Sequence, residues 1–597
     1  MKFSFLGTND TQWKGLGDSF VRFIIEKQLK DVDLWAKCVN VFRVNADVSD
    51  CGWRGEFWGK MMRGACLAYS CSGDKELYNV LETTVRDLLT AQDVETGRIS
   101  TYPAHEEFIG WDLWARKYIL TGALHFYEIC KDQVLKTQII NAMRSHVDYV
   151  VERIGRGEGQ TEICKTSFWW QGLNSATILE PILALYKITK EKRYLEFSEY
   201  ILSTGGLLKA NLLELATENV KKPSEYPVTK AYEMMSFFEG ALAYYELTGK
   251  EYYLTAVRNF ISKVLENEIT VIGCAGCTHE MFDNSKTMQT EPVHELVGQE
   301  LCVTVTWMRL LARLYQTTGE CWIMDEIERS WINSLGGSLN WKQLPSFHLG
   351  FGKWISVLPF DSYGPLYYAK RNILVGGVKV LPDGSYHGCC VSIAGAGCAI
   401  LPLNAVVKFG DTLVVNEYFE GKAIANTQVG SVGIEISSGY FEKGKVTVTI
   451  STETMANFAI KFRIPSWSKK AMVFCDGKTI QVENGYYTIE KVWKNGDQVV
   501  FEFNSELEKH ILNDKVCFTY GPFVLARDQM KEGCDIKKRV SLVDNAPYVM
   551  ETPKDEENIR ISLATANGQI LLTDYASCGK DWMNEDECLM TVWMDKT

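Results

Sequence analysis

The hydrophobic period of the chain changes once, near residue 403, and this change limits the fold to two kinds of structure in a fixed order. Before that point apolar residues recur at helical spacing, as in residues 18–27 and 176–186. Short polar turns separate these helices, and several turns contain the glycine that often ends a helix, as in residues 69–78 and 245–253. Repeated helical hairpins predict a toroid, an outer ring of helices around an inner ring, with an open solenoid as the alternative.

Beyond residue 403 apolar and polar residues alternate with period two, which is typical of half-buried strands. Turns such as Lys494-Asn-Gly-Asp497 separate these segments, which are residues 412–418, 444–450, 458–464 and 498–503. Short strands at this spacing predict antiparallel β-sandwiches. We therefore predict an α + β multidomain chain, with a helical barrel over residues 1–402, a first β-sandwich over 403–505 and a second over 506–597. Such sandwiches often join subunits, so we expect a homodimer through this region.

The composition excludes some partners and favours others. The 597 residues carry a net charge of -12, which argues against nucleic acid as a partner because a phosphate backbone requires a basic surface. The sequence contains no run of about 18 apolar residues, so we expect no membrane span. The first residues lack the pattern of a signal peptide, so we expect a cytoplasmic location with reduced thiols. Seventeen tryptophans suit a sugar ligand, whose C–H faces stack on aromatic rings.

Two distant segments carry a set of soft metal ligands. Glu300 and Cys302 lie one residue apart, and Cys389 and Cys390 are adjacent. Three thiolates and one carboxylate complete the tetrahedral set that zinc prefers. The spacing is not that of a zinc ribbon, so buried structural thiols are the alternative interpretation. The segment Cys274-Ala-Gly-Cys277 is a second candidate metal or redox pair.

Longer segments resemble the β-L-arabinofuranosidase family of glycoside hydrolases, family 127, over nearly the whole chain. The matching segments follow the family's order, and the most specific of them lie in the strand-rich part. They are residues 52–60, Trp111-Asp-Leu-Trp114, Glu280-x-Phe282, Glu300-x-Cys302, Asp325 to Asn333, Cys389-Cys390, residues 462–467, Gly485-Tyr-Tyr487, residues 493–497 and Tyr520-Gly-Pro522.

The resemblance implies a fold, a cofactor and a mechanism. The family's fold is an (α/α)6 barrel followed by β-sandwich domains. Glu300, Cys302, Cys389 and Cys390 would hold Zn²⁺, Cys389 would be the nucleophile and Glu280 the general acid/base. Two displacements at the anomeric carbon would give retention, as in carboxylate-based retaining glycosidases. The implied substrate is an oligosaccharide or glycoconjugate that carries β-L-arabinofuranose.

The chain departs from the family where the sugar hydroxyls are expected to bind. Histidines of the family's inner helices are replaced by Tyr118, Ser175 and Lys230, and the family's Pro-Pro-Asn after the double cysteine is replaced by residues 391–393. We therefore expect the same reaction on a changed sugar pocket. Lys230, with Arg116, makes an acidic or modified pectin-type sugar the alternative substrate. A solvated lysine at a helix start is the simpler interpretation.

Further residues are weaker candidates for the sugar site. Tyr118, Lys230, Trp111, His387 and Glu56 form the expected substrate-binding set, and Trp169-Trp170 could line the same site. His279 and His387 could orient Glu280 or a cysteine. A non-catalytic carbohydrate-binding protein is an alternative function. A sugar isomerase or epimerase on the same barrel is another, although it would require a pair of active-site histidines.

Overall fold

The computed structural model describes residues 3–278, 280–291, 298–348, 352–360, 364, 366–370, 373–374, 377–441, 444–538, 540–580 and 588–595. His279, one of the two histidines proposed to orient the site, lies outside the described residues. Helices fill most of the first 404 residues. In chain order they are α1 Leu16–Ile24, α2 Val32–Arg43, α3 Glu56–Ser72, α4 Lys75–Thr90, α5 Asp112–Ile129, α6 Gln133–Arg153, α7 Leu173–Ala176, α8 Leu179–Thr189, α9 Lys192–Ser203, α10 Leu212–Glu218, α11 Ala231–Thr248, α12 Glu251–Asn267, α13 Ser285–Met288, α14 Leu301–Thr318, α15 Trp322–Arg329, α16 Gly336–Ser338, α17 Cys389–Asn404 and the later α18 Gln529–Glu532. Single π turns follow α1 at Ile25–Leu29 and α15 at Ser330–Leu335.

Six of these helices close a ring around one axis. Helix α3 packs on α5, α5 on α8, α8 on α11, α11 on α14, α14 on α17, and α17 returns to α3. Each inner helix is covered on the outside by one further helix. The outer–inner pairs are α4 on α3, α6 on α5, α9 on α8, α12 on α11, α15 on α14 and α1 on α17. The chain is therefore an (α/α)6 barrel in this part. The predicted toroid is confirmed, and the open solenoid is excluded because the ring closes.

Residue size explains how the inner helices come so close. Every residue of α17 from Cys389 to Asn404 is buried, so this helix is apolar on all sides. A Cβ atom at Gly64 of α3 would lie 2.6 Å from the backbone nitrogen of Ala396, so only glycine permits this approach. Outer helices are amphipathic instead; α4 buries Leu77, Leu81 and Leu88 and exposes its other face.

Strands dominate the remainder of the chain. They are β1 Phe3–Phe5, β2 Thr11–Trp13, β3 Pro345–His348, β4 Lys353–Val357, β5 Ile373–Leu374, β6 Val378–Val380, β7 Tyr386–Gly388, β8 Val406–Phe409, β9 Thr412–Val415, β10 Gly421–Thr427, β11 Gly430–Gly439, β12 Lys445–Thr452, β13 Ala456–Ile464, β14 Ala471–Cys475, β15 Lys478–Val482, β16 Gly485–Trp493, β17 Asp497–Glu502, β18 Leu507–Leu512, β19 Lys515–Tyr520, β20 Phe523–Asp528, β21 Tyr548–Met550, β22 Arg560–Thr565, β23 Gly568–Asp574, β24 Met590–Thr591 and β25 Met594–Asp595.

Two sheets pack face to face after the barrel. One has the order β1-β8-β9-β13-β16 and the other β15-β14-β17-β12-β11-β10-β2. Pairing is antiparallel except between β9 and β13. The rings of Phe462 on β13 and Phe501 on β17 lie 5.0 Å apart, so the core is formed between the sheets. The predicted antiparallel sandwich is confirmed here.

The structure differs from the sequence-based expectation at three places. The first strands, β1 and β2, join the two sandwich sheets, where Phe3 pairs with Phe409 and Trp13 with Gly421. The expected helices are wrong between residues 345 and 388, where β3 to β7 form two small sheets. After residue 505, the described strands form one eight-stranded sheet around β18-β19-β20-β23-β22-β21. All three departures involve strands of two to seven residues, which are too short to show a clear period.

Among the described residues, none of the helices combines the length and the apolar character that a membrane span requires.

Candidate active site

The N-terminal ends of five inner helices surround one cavity of about 320 Å³. Glu56 begins α3 and Cys389 begins α17, while Trp111, Lys230 and Glu300 are the N-cap residues of α5, α11 and α14. All five side chains line the cavity. Because helix N-termini carry partial positive charge, they favour carboxylates and thiolates at this end of the barrel.

Four of the predicted ligands converge at the cavity wall. Cys390 Sγ lies 3.1 Å from Glu300 Oε1 and 3.2 Å from Cys302 Sγ. Cys389 Sγ lies 3.8 Å from Cys390 Sγ and 3.9 Å from Glu300 Oε1. One donor atom from each residue lies within 4.8 Å of all the others, although Glu300 and Cys389 are 89 residues apart in the chain. This group, which we call the thiol cluster, could bind a metal ion.

The chemistry of the thiol cluster fits a soft divalent metal. All four residues are buried, with at most 6% of any residue exposed. Burial and, to a smaller extent, the neighbouring Cys389 charge raise the pKa of the Glu300 carboxyl to about 8. Hydrogen bonds from Cys302 and Cys390 hold the pKa of the Cys389 thiol well below its usual value, while burial raises the pKa of the other two thiols. A cation bound among these buried groups would offset the charge of deprotonated ligands, and three sulfurs with one oxygen suit zinc.

Gly377 fixes the position of Cys389. Its carbonyl oxygen accepts a hydrogen bond from the backbone N–H of Cys389 at 2.9 Å. Its φ is +75°, and a Cβ atom built on it would lie 2.6 Å from Cys389 Sγ. Glycine is therefore required here both by the backbone conformation and by the space that the sulfur occupies. The sequence alone gave no sign of this contact.

A buried ion pair lies beneath the thiol cluster. Lys60 Nζ is 2.9 Å from Glu56 Oε1 and 3.9 Å from Cys302 Sγ, and Trp114 Nε1 donates a hydrogen bond to Glu56 Oε2. Burial raises the pKa of Glu56 to about 7, although Lys60 opposes the shift. Lys60 also lies 4.5 Å from the centroid of the Tyr232 ring. Sequence reasoning missed Lys60, but its spacing of four residues from Glu56 on one helix was a visible signal.

Glu280 reaches the cavity from a loop that pairs with the start of α11. The backbone N–H of Ala231 donates to Glu280 O at 2.8 Å, and that of Phe282 donates to Thr229 O at 2.8 Å. Glu280 has a φ of +66°. Its Oε2 forms an ion pair with Lys230 Nζ. The ammonium of Lys230 lies 5.4 Å from the centroid of the Trp170 ring.

Several predicted site residues do not line the cavity. Tyr118 is fully buried, and its hydroxyl is hydrogen-bonded to that of Tyr232, which lines the cavity in its place. His387 is buried, with its ring 5.2 Å from that of Phe57, and burial lowers the pKa of its imidazole to about 4. Ser175 is buried and accepts a hydrogen bond from Thr166 Oγ1.

Two other candidates make local contacts away from the cavity. Arg116 is buried and forms ion pairs with Asp112 and Glu107. The thiols of Cys274 and Cys277 each approach backbone carbonyl oxygens, and neither belongs to the thiol cluster.

Tryptophans contribute more of the cavity wall than the sequence indicated. Those that line it are Trp53, Trp111, Trp114, Trp169 and Trp170.

Comparison with known proteins agrees with this architecture. Residues 11–344 match the family model of the β-L-arabinofuranosidase GH127 catalytic domain, and residues 412–505 match that of the GH127 middle domain. A search of curated proteins found no match.

Solved structures are similar over the whole length. A GH127 β-arabinofuranosidase, BT3674, has a TM-score of 0.76 at 18% identity, covering 100% of this chain and 98% of that one. The GH127 β-L-arabinofuranosidase Ara127N of Geobacillus stearothermophilus T6 has a TM-score of 0.72 at 17% identity, covering 98% of this chain and 100% of that one. At this identity the structures establish a shared fold. The catalytic-domain model alone spans more than half of the chain. The chain therefore belongs to the β-L-arabinofuranosidase family GH127 of glycoside hydrolases.

Proposed function

We propose that this chain is a zinc-dependent, retaining β-L-arabinofuranosidase in which Cys389 is the nucleophile and Glu280 the general acid/base. The observation that carries the proposal is the thiol cluster at the wall of a cavity that Glu280 also lines. A buried nucleophilic sulfur and a separate carboxylate in one sugar-sized cavity are the two groups that a double displacement requires.

Zinc is the metal that best suits the donor set. Glu300, Cys302, Cys389 and Cys390 would hold it. Zinc bound there would keep the cysteine thiols deprotonated, including the one that must attack the sugar. Two features of the chain already favour an anionic sulfur at Cys389. Hydrogen bonding with the neighbouring thiols lowers the pKa of Cys389, and Cys389 lies at the N-terminus of α17.

In the first displacement, the Cys389 sulfur attacks the anomeric carbon and the bond to the leaving oxygen breaks. Glu280 donates its proton to that oxygen, and a thioglycosyl bond to Cys389 forms. In the second, Glu280 takes a proton from water, the water oxygen attacks the anomeric carbon, and Cys389 leaves as a thiolate. Each displacement inverts the anomeric carbon, so the product retains the starting configuration.

The charges in the cavity favour a neutral sugar over an acidic one. Two lysines line the cavity among the described residues. Lys230 is paired with Glu280, and Lys60 is paired with Glu56. An acidic sugar would have to displace one of these carboxylates to gain a cation. The tryptophans that line the wall suit the C–H faces of an uncharged ring instead.

The epimerase alternative lacks its required residues in the described cavity. That function needs a pair of active-site histidines, and the described residues that line the cavity include no histidine. The non-catalytic alternative predicts neither bound zinc nor a role for Cys389.

A panel of 4-nitrophenyl glycosides tests the proposal. We expect cleavage of the β-L-arabinofuranoside, loss of activity with a zinc chelator, and about one zinc ion per chain by metal analysis. Cys389→Ser should lower kcat/KM by at least about 10³-fold, and Glu280→Gln by roughly 10² to 10⁴-fold.

The matched control for Cys389→Ser is Cys398→Ser. Cys398 is a buried cysteine of the same helix that lies outside the thiol cluster, so this variant should retain both zinc and activity. A chain that cleaves no glycoside in the panel and contains no zinc contradicts the proposal.

A further inference from the structure

Three consecutive aromatic side chains lead from Glu280 to the protein surface. Trp170 lines the cavity beside Lys230, the partner of Glu280. The ring centroids of Trp170 and Trp169 are 6.3 Å apart, and those of Trp169 and Phe168 are 5.0 Å apart. Exposure increases along this row, with Trp169 40% exposed and Phe168 66% exposed. We call these three residues the aromatic row.

The backbone holds the aromatic row in an uncommon conformation. Trp170 and Gln171 both have left-handed backbone angles, with φ of 51° and 54°. Residues with a Cβ atom rarely adopt this conformation, and two in succession need support from their surroundings. Gln171 supplies it, because its carbonyl oxygen accepts from Leu208 N at 3.0 Å and its side-chain oxygen accepts from Lys209 N at 3.1 Å. Gly172 follows, also with positive φ, packed so tightly on Cys164 that a Cβ atom would collide with its backbone.

The row lies on the side of the cavity where the leaving group must depart. A general acid protonates the leaving oxygen, so the departing group lies next to Glu280 during the reaction. The Lys230 ammonium contacts both Glu280 and the Trp170 ring, which places the inner end of the row beside that carboxylate. A group that extends outward from this point would meet Trp169 and then Phe168. Exposed aromatic side chains next to a cavity mark a binding surface more often than isolated ones do.

We propose that the aromatic row is a leaving-group subsite that stacks a second sugar ring, chiefly on Trp169, with Phe168 extending the platform. The inference rests on the proposed glycosidase function and names the side chains that would bind the leaving sugar. An indole and a phenyl ring offer flat apolar faces without charge, which suits the C–H face of a neutral sugar. A second copy of this chain is the competing occupant of the exposed rings.

The test compares two leaving groups on one sugar. Methyl β-L-arabinofuranoside carries a leaving group too small to stack, whereas a β-L-arabinofuranosyl disaccharide carries a second ring. The quantity measured is the ratio of kcat/KM for the disaccharide to kcat/KM for the methyl glycoside. Trp169→Ala should lower this ratio about tenfold, the effect of losing one stacked ring, and Trp169→Phe should restore most of it. Phe168→Ala should lower it by a smaller factor. Trp322→Ala, which removes a partly exposed tryptophan at the start of α15, should leave the ratio unchanged.

The outcomes separate this inference from the proposed function. An unchanged ratio in Trp169→Ala, with both substrates still hydrolysed, overturns the subsite and leaves the glycosidase intact. A change in oligomeric state in Trp169→Ala, measured by light scattering, with no change in the ratio, assigns the row to an interface and also overturns it. Hydrolysis of neither substrate by the unaltered chain contradicts the proposed function. In that case calorimetric titration with the disaccharide decides the subsite, and equal affinity of the unaltered chain and Trp169→Ala overturns it.

Discussion

The chemistry of single residues at the thiol cluster depends on neighbours that are distant in the chain. Cys389 is one of 18 cysteines, and most of the buried ones have a raised thiol pKa because burial disfavours the thiolate. Cys389 differs because hydrogen bonding with the thiols of Cys302 and Cys390 lowers its pKa and because it begins a helix. The same residue type is therefore inert in one place and suited to nucleophilic attack in another.

Gly377 gives the sharpest prediction at this scale. Gly377→Ala should lower zinc affinity and kcat/KM by at least about tenfold, because the new methyl group would lie 2.6 Å from Cys389 Sγ. Gly384→Ala is a matched control: Gly384 has a φ of +86°, but a Cβ atom there meets nothing within 4 Å. Both variants suffer backbone strain of about 1–2 kcal/mol, whereas only Gly377→Ala displaces the sulfur.

Metal analysis after dialysis against a graded zinc buffer, together with kinetics, distinguishes the two glycine variants. Equal zinc affinity and equal activity in Gly377→Ala and Gly384→Ala would contradict the role given to Gly377.

The cluster residues could be identified from the sequence only in part. The adjacent cysteines and Glu300-x-Cys302 are visible motifs. They lie 87 to 90 residues apart in the chain, and only the family resemblance indicated that they belong to one site. The contact of Gly377 with Cys389 has no such signature, because close approach between loops is a property of the folded chain. Tyr118 and His387 show the converse, since their positions in the motifs did not reveal that other side chains cover them.

Helix α17 is the element on which most of the architecture depends. It supplies two cluster residues at its N-terminus, closes the ring between α14 and α3, and ends next to the sandwich. Strand β2 contacts both parts of the chain at the junction between α17 and the sandwich. Trp13 Nε1 donates to Pro402 O at 3.1 Å, and the Trp13 ring lies 6.3 Å from that of Phe419.

Trp13→Ala should destabilise this junction. Trp13 is 8% exposed, and replacing a buried aromatic residue with alanine costs about 3–5 kcal/mol of unfolding free energy. Trp13→Phe retains most of the ring and removes one of the two donors to Pro402 O, which also accepts from Ala405 N, so it should cost about 0.5–1.5 kcal/mol. Urea titration followed by circular dichroism measures both values. A loss below about 0.5 kcal/mol in Trp13→Ala would show that the strand contributes little.

The elements themselves were predictable to different degrees. Long helices were clear because their period extends over several turns and because glycines such as Gly249 and Gly319 end them in the left-handed conformation. Strands β1 and β2 were not, because each has three residues and pairs with partners about 400 residues away. The small sheets between residues 345 and 388 were missed for the same reason of length.

At the scale of the whole molecule, a buried ion cluster joins the barrel to the sandwich. The fully buried guanidinium of Arg463, on β13, lies 2.8 Å from Glu328 and 4.0 Å from Asp325, both on α15, and 2.9 Å from Glu417. Burial raises the pKa of the Glu417 and Asp325 carboxyls, which limits the negative charge that gathers around this one cation. Such a site fixes the relative positions of two parts of the chain, although it contributes modestly to net stability.

This cluster predicts how stability depends on pH. Burial raises the pKa of Asp325 from 3.8 to about 6, although Arg463 opposes the shift. The folded chain then holds a proton that the unfolded chain has released, so the free energy of unfolding falls as pH rises from about 4 to about 6. Asp325→Asn does not titrate and lacks this fall. Relative to the variant, the unaltered chain should lose roughly 2 kcal/mol between about pH 4 and about pH 7.

Denaturant titrations at several pH values measure this difference. Asp514→Asn, on an exposed turn between β18 and β19, is the control and should follow the unaltered chain at each pH. An increase in the stability of the unaltered chain relative to Asp325→Asn over this range would contradict the assignment.

Subunit association and location stay predictions. We expect a homodimer through the β-sandwich region, and light scattering of the purified chain tests it. The domain boundaries at residues 402 and 505 are likewise predictions, which limited proteolysis tests.

The most direct test of the central claim, that Cys389 is the nucleophile, is the site at which a cysteine-directed inhibitor reacts. The chain is incubated with a bromoacetyl derivative of β-L-arabinofuranosylamine, and fragment mass spectra locate the adduct among the 18 cysteines. We predict one adduct per chain, on Cys389, which forms more slowly when free L-arabinose is added. An adduct on Cys390, Cys302 or any other residue in place of Cys389, or labelling that arabinose does not slow, would contradict the claim.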